Sequence, residues 1–326
     1  MSAPTAPAGR VLTVTLNPAV DVTYAVDALT VGETVRVRGV RSRSGGKGVN
    51  VASVVRALGG EAVVVALTAA REPDEFEAGL DALHLPHRLV LALEAVRRTV
   101  AVVAADGTTT SLQEPGGPAA EGTAEAVTAV LVEELAQGAD AVVISGSVPP
   151  GLPVDLPARL AELCRDAGVP VVADLSGAPL RAAAGVGAVL VPNRDELADL
   201  VGAPARDLRE VLGAGRHLLA GGAAAVLATL GEQGVVAVTP EGAWHARPVE
   251  VVAGNPTGAG DAAAAALARH LGAGVAAWPA VLADVVATSA ACVLRPVAGE
   301  VDTGARARWL DLVEVEELDE ERGARR

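Results

Sequence analysis

Aromatic residues amount to only 2 % of the 326 positions, with one Phe, one Tyr and three Trp, and there is a single Met. A core must therefore be assembled from Ala, Val and Leu, and a hydrophobic content of 51 % supplies enough for one large α/β domain or two small ones. That content excludes a disordered chain. Cysteine is almost absent too. Cys164 and Cys292 stand far apart among apolar neighbours, with no CxxC and no His at ligand spacing, which argues against a disulfide framework or a thiolate metal site. Buried free thiols in a reducing cytoplasm are the expectation. No stretch reaches the roughly 18 unbroken apolar residues of a membrane span, and residues 1–10 lack the apolar centre of a secretory leader. The reading is a cytoplasmic protein with a flexible leader over 1–10 and no membrane partner. Positive charge is also in deficit, since 26 Lys and Arg face 40 Asp and Glu for a net charge of −14. With no Lys/Arg cluster long enough to follow a phosphate backbone, nucleic acid is not expected as a partner.

What the sequence does hold is glycine, gathered in loops that precede helices. The most pointed case is Gly254-Asn255-Pro256-Thr257-Gly258-Ala259-Gly260-Asp261, followed by five alanines, Ala262 to Ala266. Glycine and proline forbid a regular element up to Gly260, while alanine is the strongest helix former, so a tight loop opens a helix here. First-turn amides lack intrahelical partners and sit at the positive end of the macrodipole, so a phosphate could settle on the backbone at Gly258 and Gly260. Asp261 then stands at the rim of an anion site, a poor place for a carboxylate unless it takes a proton from an attacking hydroxyl. The same residues also fit a plain helix cap. A second glycine loop, Gly45-Gly46-Lys47-Gly48-Val49-Asn50, opens an amphipathic helix over 51–58 that Gly59-Gly60 closes. Lys47 is followed by Gly48 rather than Ser or Thr, which rules out a Walker A loop. Arg36, Arg38, Arg41, Arg43 and Lys47 form the densest basic run of an acidic chain, and suit either a small anionic substrate or a solvated strand edge.

Elsewhere, apolar runs at 11–16, 62–67 and 142–147 read as buried strands. From residue 169 onward, strands at 169–174, 188–192 and 224–230 alternate with helices at 175–184, 193–201 and 207–219. Such alternation with short connections argues for a parallel sheet covered by helices, whose sites lie at the carboxyl ends of the strands. Polar–apolar alternation at 22–26 and 34–40, with a hairpin from 97–104 to 108–113 turning at Asp106-Gly107, reads as a small lid outside the main sheet. Helices are expected over 73–83, 121–137 and 283–294, and a hairpin from 235–239 to 243–246. The run 313–321 mixes acids with apolar residues and reads as a solvated helical tail.

Taken together, Asn17-Pro18-Ala19-Val20-Asp21, Gly45-Gly46-Lys47-Gly48-Val49-Asn50, Ser145-Gly146-Ser147-Val148-Pro149-Pro150-Gly151, Pro192-Asn193-Arg194-Asp195-Glu196, Thr229-Leu230-Gly231-Glu232-Gln233-Gly234 and Gly258-Ala259-Gly260-Asp261 closely resemble the ribokinase-like (PfkB) carbohydrate kinases. The likeness is greatest to the branch that holds 1-phosphofructokinase, tagatose-6-phosphate kinase and the minor 6-phosphofructokinase, and it covers about residues 11–300. The resemblance implies an α/β fold: a ribokinase-like three-layer α/β/α sandwich over 11–312, with a mostly parallel central sheet, a small β-sheet lid from about 20–44 and 96–114, and a charged tail over 313–326. It further implies an ATP-dependent kinase that needs Mg2+ and acts on a ketohexose phosphate, fructose 1-phosphate first and then tagatose 6-phosphate or fructose 6-phosphate. An unphosphorylated sugar acceptor, or a regulator that binds sugar phosphate without chemistry, is the alternative.

By the same resemblance Asp261 is the general base, and the amides of Gly258, Ala259 and Gly260 hold the γ-phosphate. Asp21, Gly46, Asn50 and Ser147 fall on the sugar side, with Lys47, Arg98 and Arg36 at the phosphate already on the substrate. Asn193, Thr229, Gly231 and Gly234 fall on the nucleotide side, and Glu196 is associated with magnesium. The pattern departs from the family where Ala262 replaces the usual Ser or Thr after the base, where Asn255-Pro256-Thr257 precedes the anion loop, where 68–76 lacks glycines, and where Gln113 stands for Asn. Exposed lid edges imply a homodimer in which two lids pair.

Overall fold

The computed structural model describes residues 9–69, 74–274 and 277–318. Its strands are β1 (Arg10–Thr15), β2 (Ala19–Ala25), β3 (Gly39–Gly45), β4 (Glu61–Ala69), β5 (His87–Leu93), β6 (Arg97–Val103), β7 (Thr109–Gln113), β8 (Ala141–Ser145), β9 (Val171–Asp174), β10 (Val189–Leu190), β11 (Ala225–Thr229), β12 (Val235–Thr239), β13 (Gly242–Arg247) and β14 (Glu314–Glu317). The helices are α1 (Lys47–Ala57), α2 (Glu75–Ala82), α3 (Thr123–Ala136), α4 (Leu156–Asp166), α5 (Gly177–Ala184), α6 (Arg194–Val201), α7 (Leu208–Ala220), α8 (Ala259–Gly272), α9 (Trp278–Val293) and α10 (Thr303–Trp309).

Ten strands form the main sheet in the order β14-β13-β12-β11-β10-β9-β8-β1-β4-β5. Pairing is parallel from β11 to β5 and antiparallel from β11 to β14. Side chains alternate across a strand, so a sheet covered on both faces needs apolar residues at every position. β8 shows this: Val142 and Ile144 enter one apolar cluster, Ala141 and Val143 the other. Helices α3 to α7 cover the first face, and α1, α8 and α9 the second. With so few aromatics, tight packing depends on small residues. Ala262 to Ala268 along α8, apart from Leu267 all alanine, have no exposed surface, so α8 lies close against α1, α9 and β8.

A second sheet has the order β3-β2-β6-β7, with β2 parallel to β6 and the other pairs antiparallel. Its second strand runs over Gly39–Gly45 rather than 34–40; the alternation continues through Arg41 and Arg43, whose charge hid the period. Strand β5 and helices α4 and α10 escaped sequence reading. The expected solvated helical tail is corrected by β14, which extends the main sheet at β13. Val315 packs toward the core between exposed glutamates, a period of two that the acidic composition obscured. Residues 1–8 of the expected leader, 70–73 of the glycine-poor stretch and 319–326 of the tail lie outside the described residues; Arg10 already belongs to β1.

Helices α8, α9 and α10 meet at Asp284 of α9, which is 4 % exposed. Its carboxylate accepts from His270 Nε2 at 3.0 Å, Thr288 Oγ1 at 2.9 Å, and Arg306 Nε at 2.8 Å and Nη2 at 2.7 Å. Burial alone would raise this carboxyl, but the His270 hydrogen bond and the Arg306 charge hold it down at about 2. A depressed carboxyl contributes stability that is complete above its unfolded value of about 4 and is lost as pH falls through about 2. Asp284→Ala strands Arg306 and should cost roughly 3–5 kcal/mol at pH 7. Urea unfolding measures this, and a change under about 1 kcal/mol would show that the three helices hold together without it.

Candidate active site

The carboxyl end of the main sheet carries the site. Asn17 follows β1, Ser147 follows β8, Asp174 ends β9, and the N-termini of α1 and α8 open beside them. Gly258 caps α8 at φ 88°, and a Cβ there would lie 2.8 Å from the Ala298 Cβ, so only glycine suits the position. Neither α1 nor α8 has a side-chain cap. The first-turn amides are thus left for a ligand, and Asp261 is not spent on capping. It accepts instead from Asn50 Nδ2 at 2.8 Å, which ties α8 to α1.

Asp261 is 6 % exposed and Asp174 is 4 % exposed. Burial, then the negative charge of Asp174, push the Asp261 carboxyl up to about 7, against the opposing pull of Lys47 and the Asn50 hydrogen bond. Lys47 Nζ lies 2.8 Å from Asp174 Oδ1. Desolvation disfavours its charge, but Asp174 and then Asp261 outweigh that and raise it. Burial likewise raises Asp21 to about 6, while Arg43, Arg97 and the Gly46 amide act in the other direction. Around these charges Thr15 Oγ1, Asn50 Oδ1, Ser145 Oγ, Asp174 Oδ2 and Arg43 Nη2 are buried without a hydrogen-bond partner among the described residues. A buried polar atom left unpaired is costly. So many in one place give this region a polarity that the packing itself does not satisfy.

Of the expected site residues, Asp21, Gly46, Lys47, Asn50 and Asp261 come together, and Ser147 joins them by accepting from Asn17 Nδ2 at 2.9 Å. Asn193, Thr229, Gly231 and Gly234 line a cavity of about 530 Å³ that also reaches Ala259 and Gly260. Asn193 and Glu196 close a capping box on α6: Asn193 Oδ1 accepts from the Glu196 amide and Glu196 Oε2 from the Asn193 amide, each at 2.9 Å. Glu196 still adds to the positive character of Lys47.

Two of the expected arginines lie apart from this group. Arg98 sits opposite Val20 in the parallel register of β2 and β6 and pairs with Glu75 at 3.2 Å. One position along, Arg97 shares the face of Asp21, as does Arg43, the cross-strand partner of Asp21. A one-residue step along a strand reverses the face, so Arg97 and Arg43 lie on the side of Asp21 and Arg98 on the other. Arg36 is exposed between β2 and β3 with no ion-pair partner among the described residues. Asp174 went unnoticed in the sequence, although an acid ending a buried strand of a parallel sheet was the available signal.

The pattern of the pfkB family of carbohydrate kinases matches residues 14–302. The chain belongs to this family. It is 34 % identical over 268 residues to the 1-phosphofructokinase of Xanthomonas campestris pv. campestris, covering 80 % of this chain and 84 % of that one. To the 1-phosphofructokinase of Rhodobacter capsulatus it is 36 % identical over 260 residues, covering 79 % and 82 %. The crystal structure of phosphofructokinase-2 from Escherichia coli superposes with a TM-score of 0.86 at 25 % identity, over 93 % of this chain and 99 % of that one. The three-layer arrangement with its smaller sheet is the ribokinase-like fold, and the protein is an ATP-dependent sugar kinase. Among the described residues no helix is long and apolar enough to cross a membrane.

The raised Asp261 carboxyl has a cost that pH reveals. A carboxyl whose folded value lies near 7 loses stability as pH climbs from about 4 to about 7, at about 1.4 kcal/mol per unit. The neutral isostere in Asp261→Asn should therefore gain stability over the parent progressively across that range and level off above it. Thermal unfolding at pH 5, 6, 7 and 8 measures the gain; one independent of pH would mean that the carboxylate is not strained.

Proposed function

We propose that this chain is an ATP-dependent 1-phosphofructokinase, transferring the γ-phosphate of ATP to the free primary hydroxyl of fructose 1-phosphate to give fructose 1,6-bisphosphate and ADP. The observation that carries the reading is the buried carboxylate of Asp261, raised to about 7 at the uncapped start of α8. It lies between the cavity under β11 and β12 and the Asp21–Arg43–Arg97 cluster. A base of that strength is matched to removing a hydroxyl proton near neutral pH.

In this mechanism Asp261 accepts the proton as the sugar oxygen attacks the γ-phosphorus and ADP departs. The amides of Gly258, Ala259 and Gly260 face the charge that gathers on the transferred phosphoryl group, and being fixed beforehand they need no reorganisation. Asp21 and Asn50, each with an unpaired or strained polar group, suit the sugar hydroxyls. Arg43 and Arg97 suit the phosphate already on the substrate, with guanidinium geometry made for it. Magnesium in such sites is held by one or two carboxylates, waters and the nucleotide phosphates. Among the described residues no three acidic, His or Cys side chains gather as a metal cage. Glu196, with Oε1 outside the capping box, and Asp174, with Oδ2 unpaired, fit it. Held there, the ion would supply charge neutralisation on the phosphates.

The same reading includes a homodimer through the smaller sheet. Val40 is 62 % exposed on β3 and Leu112 59 % exposed on β7, the two edge strands of that sheet, and open apolar edges invite pairing with a second copy. Two buried free thiols, Cys164 and Cys292, are at home in a reducing cytoplasm.

ATP consumption with magnesium should rank fructose 1-phosphate above fructose 6-phosphate, tagatose 6-phosphate, fructose and ribose by kcat/KM. Preference for another phosphosugar would reassign the acceptor, and preference for an unphosphorylated sugar would deprive Arg43 and Arg97 of their role. Asp261→Asn should lower kcat by about 10²-fold to 10⁴-fold. Arg97→Ala should raise KM for the phosphosugar roughly tenfold to a hundredfold, with Arg98→Ala close to the parent. The reverse order would restore Arg98 as the phosphate contact. Sedimentation that finds a monomer would remove the dimer.

A further inference from the structure

The turn Gly231–Gln233 joins β11 to β12 at the mouth of the nucleotide-side cavity, and its position is fixed by contacts on both flanks. Gln233 Oε1 accepts from Arg194 Nη2 at 2.6 Å. Arg194 is the first residue of α6, and its other terminal nitrogen donates to Ala205 O at 2.5 Å and Arg206 O at 2.7 Å. The Gln233 carbonyl lies 2.7 Å from Nε2 of His245 on β13. A carbonyl only accepts, so Nε2 carries the hydrogen, and Nδ1 accepts from Arg247 Nε at 3.3 Å. Arg247 is held in turn by Glu316 of β14 at 2.6 Å. Gly234 completes the seat, because a Cβ there would stand 2.0 Å from Ala246 O, so the turn rests directly on the backbone of β13.

His245 is a fully enclosed imidazole, 4 % exposed in its side chain, and the phosphoryl transfer above makes no use of it. Its partner is a carbonyl of the turn, and the contact ties the turn to β13. We propose that Gln233 and His245 are positioning residues for ATP: His245, braced by Arg247 and Glu316 of the terminal strand, and Arg194 at the start of α6 clamp the 231–234 turn from opposite sides in the conformation that receives the nucleotide. The proposal rests on the kinase reading. It makes β14 part of the nucleotide site at second hand, although no β14 residue lines the cavity.

Steady-state kinetics on the full chain tests it, varying ATP and fructose 1-phosphate separately. His245→Leu removes the donor and Gln233→Ala the Arg194 contact. Each should raise KM for ATP by about threefold to tenfold, the worth of one hydrogen bond, with kcat and KM for fructose 1-phosphate within about twofold of the parent. His245→Gln, whose amide nitrogen stands where Nε2 stood, should restore KM for ATP. An unchanged KM for ATP in Gln233→Ala and His245→Leu overturns the proposal, as does an equal loss toward both substrates or a failure of His245→Gln to rescue. If His245→Leu does not fold, exposed Gln233→Ala and the conservative His245→Gln still decide. A parent chain without ATP turnover would overturn the kinase reading itself, whereas normal turnover with insensitive variants overturns the clamp alone.

Discussion

Keeping a carboxylate dry at the start of a helix is the constraint around which this protein is arranged. An aspartate in the first turn of α8 is favoured by the macrodipole but opposed by the loss of water. The fold keeps that opposition high: Asp174 adds a second negative charge nearby, and Lys47 is engaged mainly by Asp174 rather than by Asp261. The base is thereby left strong enough to accept a proton. The amides beside it stay uncapped, so one turn of one helix holds both the group that activates the acceptor and the groups that receive the migrating charge.

The alanine run supports that arrangement mechanically. Larger residues on α8 would push it away from the sheet and from α1, and the Asn50–Asp261 hydrogen bond spans that very contact. Ser289 of α9 donates to the Ala259 carbonyl at 2.7 Å, so the first turn is held from the other side as well. Away from the first turn, Asp284 of α9 joins His270, near the end of α8, to Arg306 of α10. The helix is thus held near both of its ends.

Much of this was legible because glycine loops, helix-opening alanines and alternating strands and helices are local signals. Asp261, Asn50 and Asp21 could be named from spacing and resemblance, and the four nucleotide-side residues do line one cavity. What escaped depended on register and on distant pairing. Choosing Arg98 over Arg97 was a choice between two faces of β6, which only the pairing with β2 decides. Asn193 and Glu196 satisfy each other as a capping box, while Asn193 also lines the cavity. Strand β14 was hidden by composition: glutamate-rich tails are ordinarily solvated, and this one becomes a strand because β13 offers an edge. Asp174 could be suspected from its place at the end of a buried strand, but its pairing with Lys47 is set by long-range packing rather than by spacing.

The scarcity of aromatics has a spectroscopic consequence. The sole tyrosine, Tyr24, lies on β2 of the smaller sheet. All three tryptophans belong to the main body: Trp244 on β13, Trp278 at the start of α9 and Trp309 at the end of α10. Emission excited selectively from indole therefore reports on the main body, with no indole in the smaller sheet. Phenol emission reports on that sheet from one known place. The two halves can be followed separately in the unmodified chain, without introducing a label into a core that has little room for one.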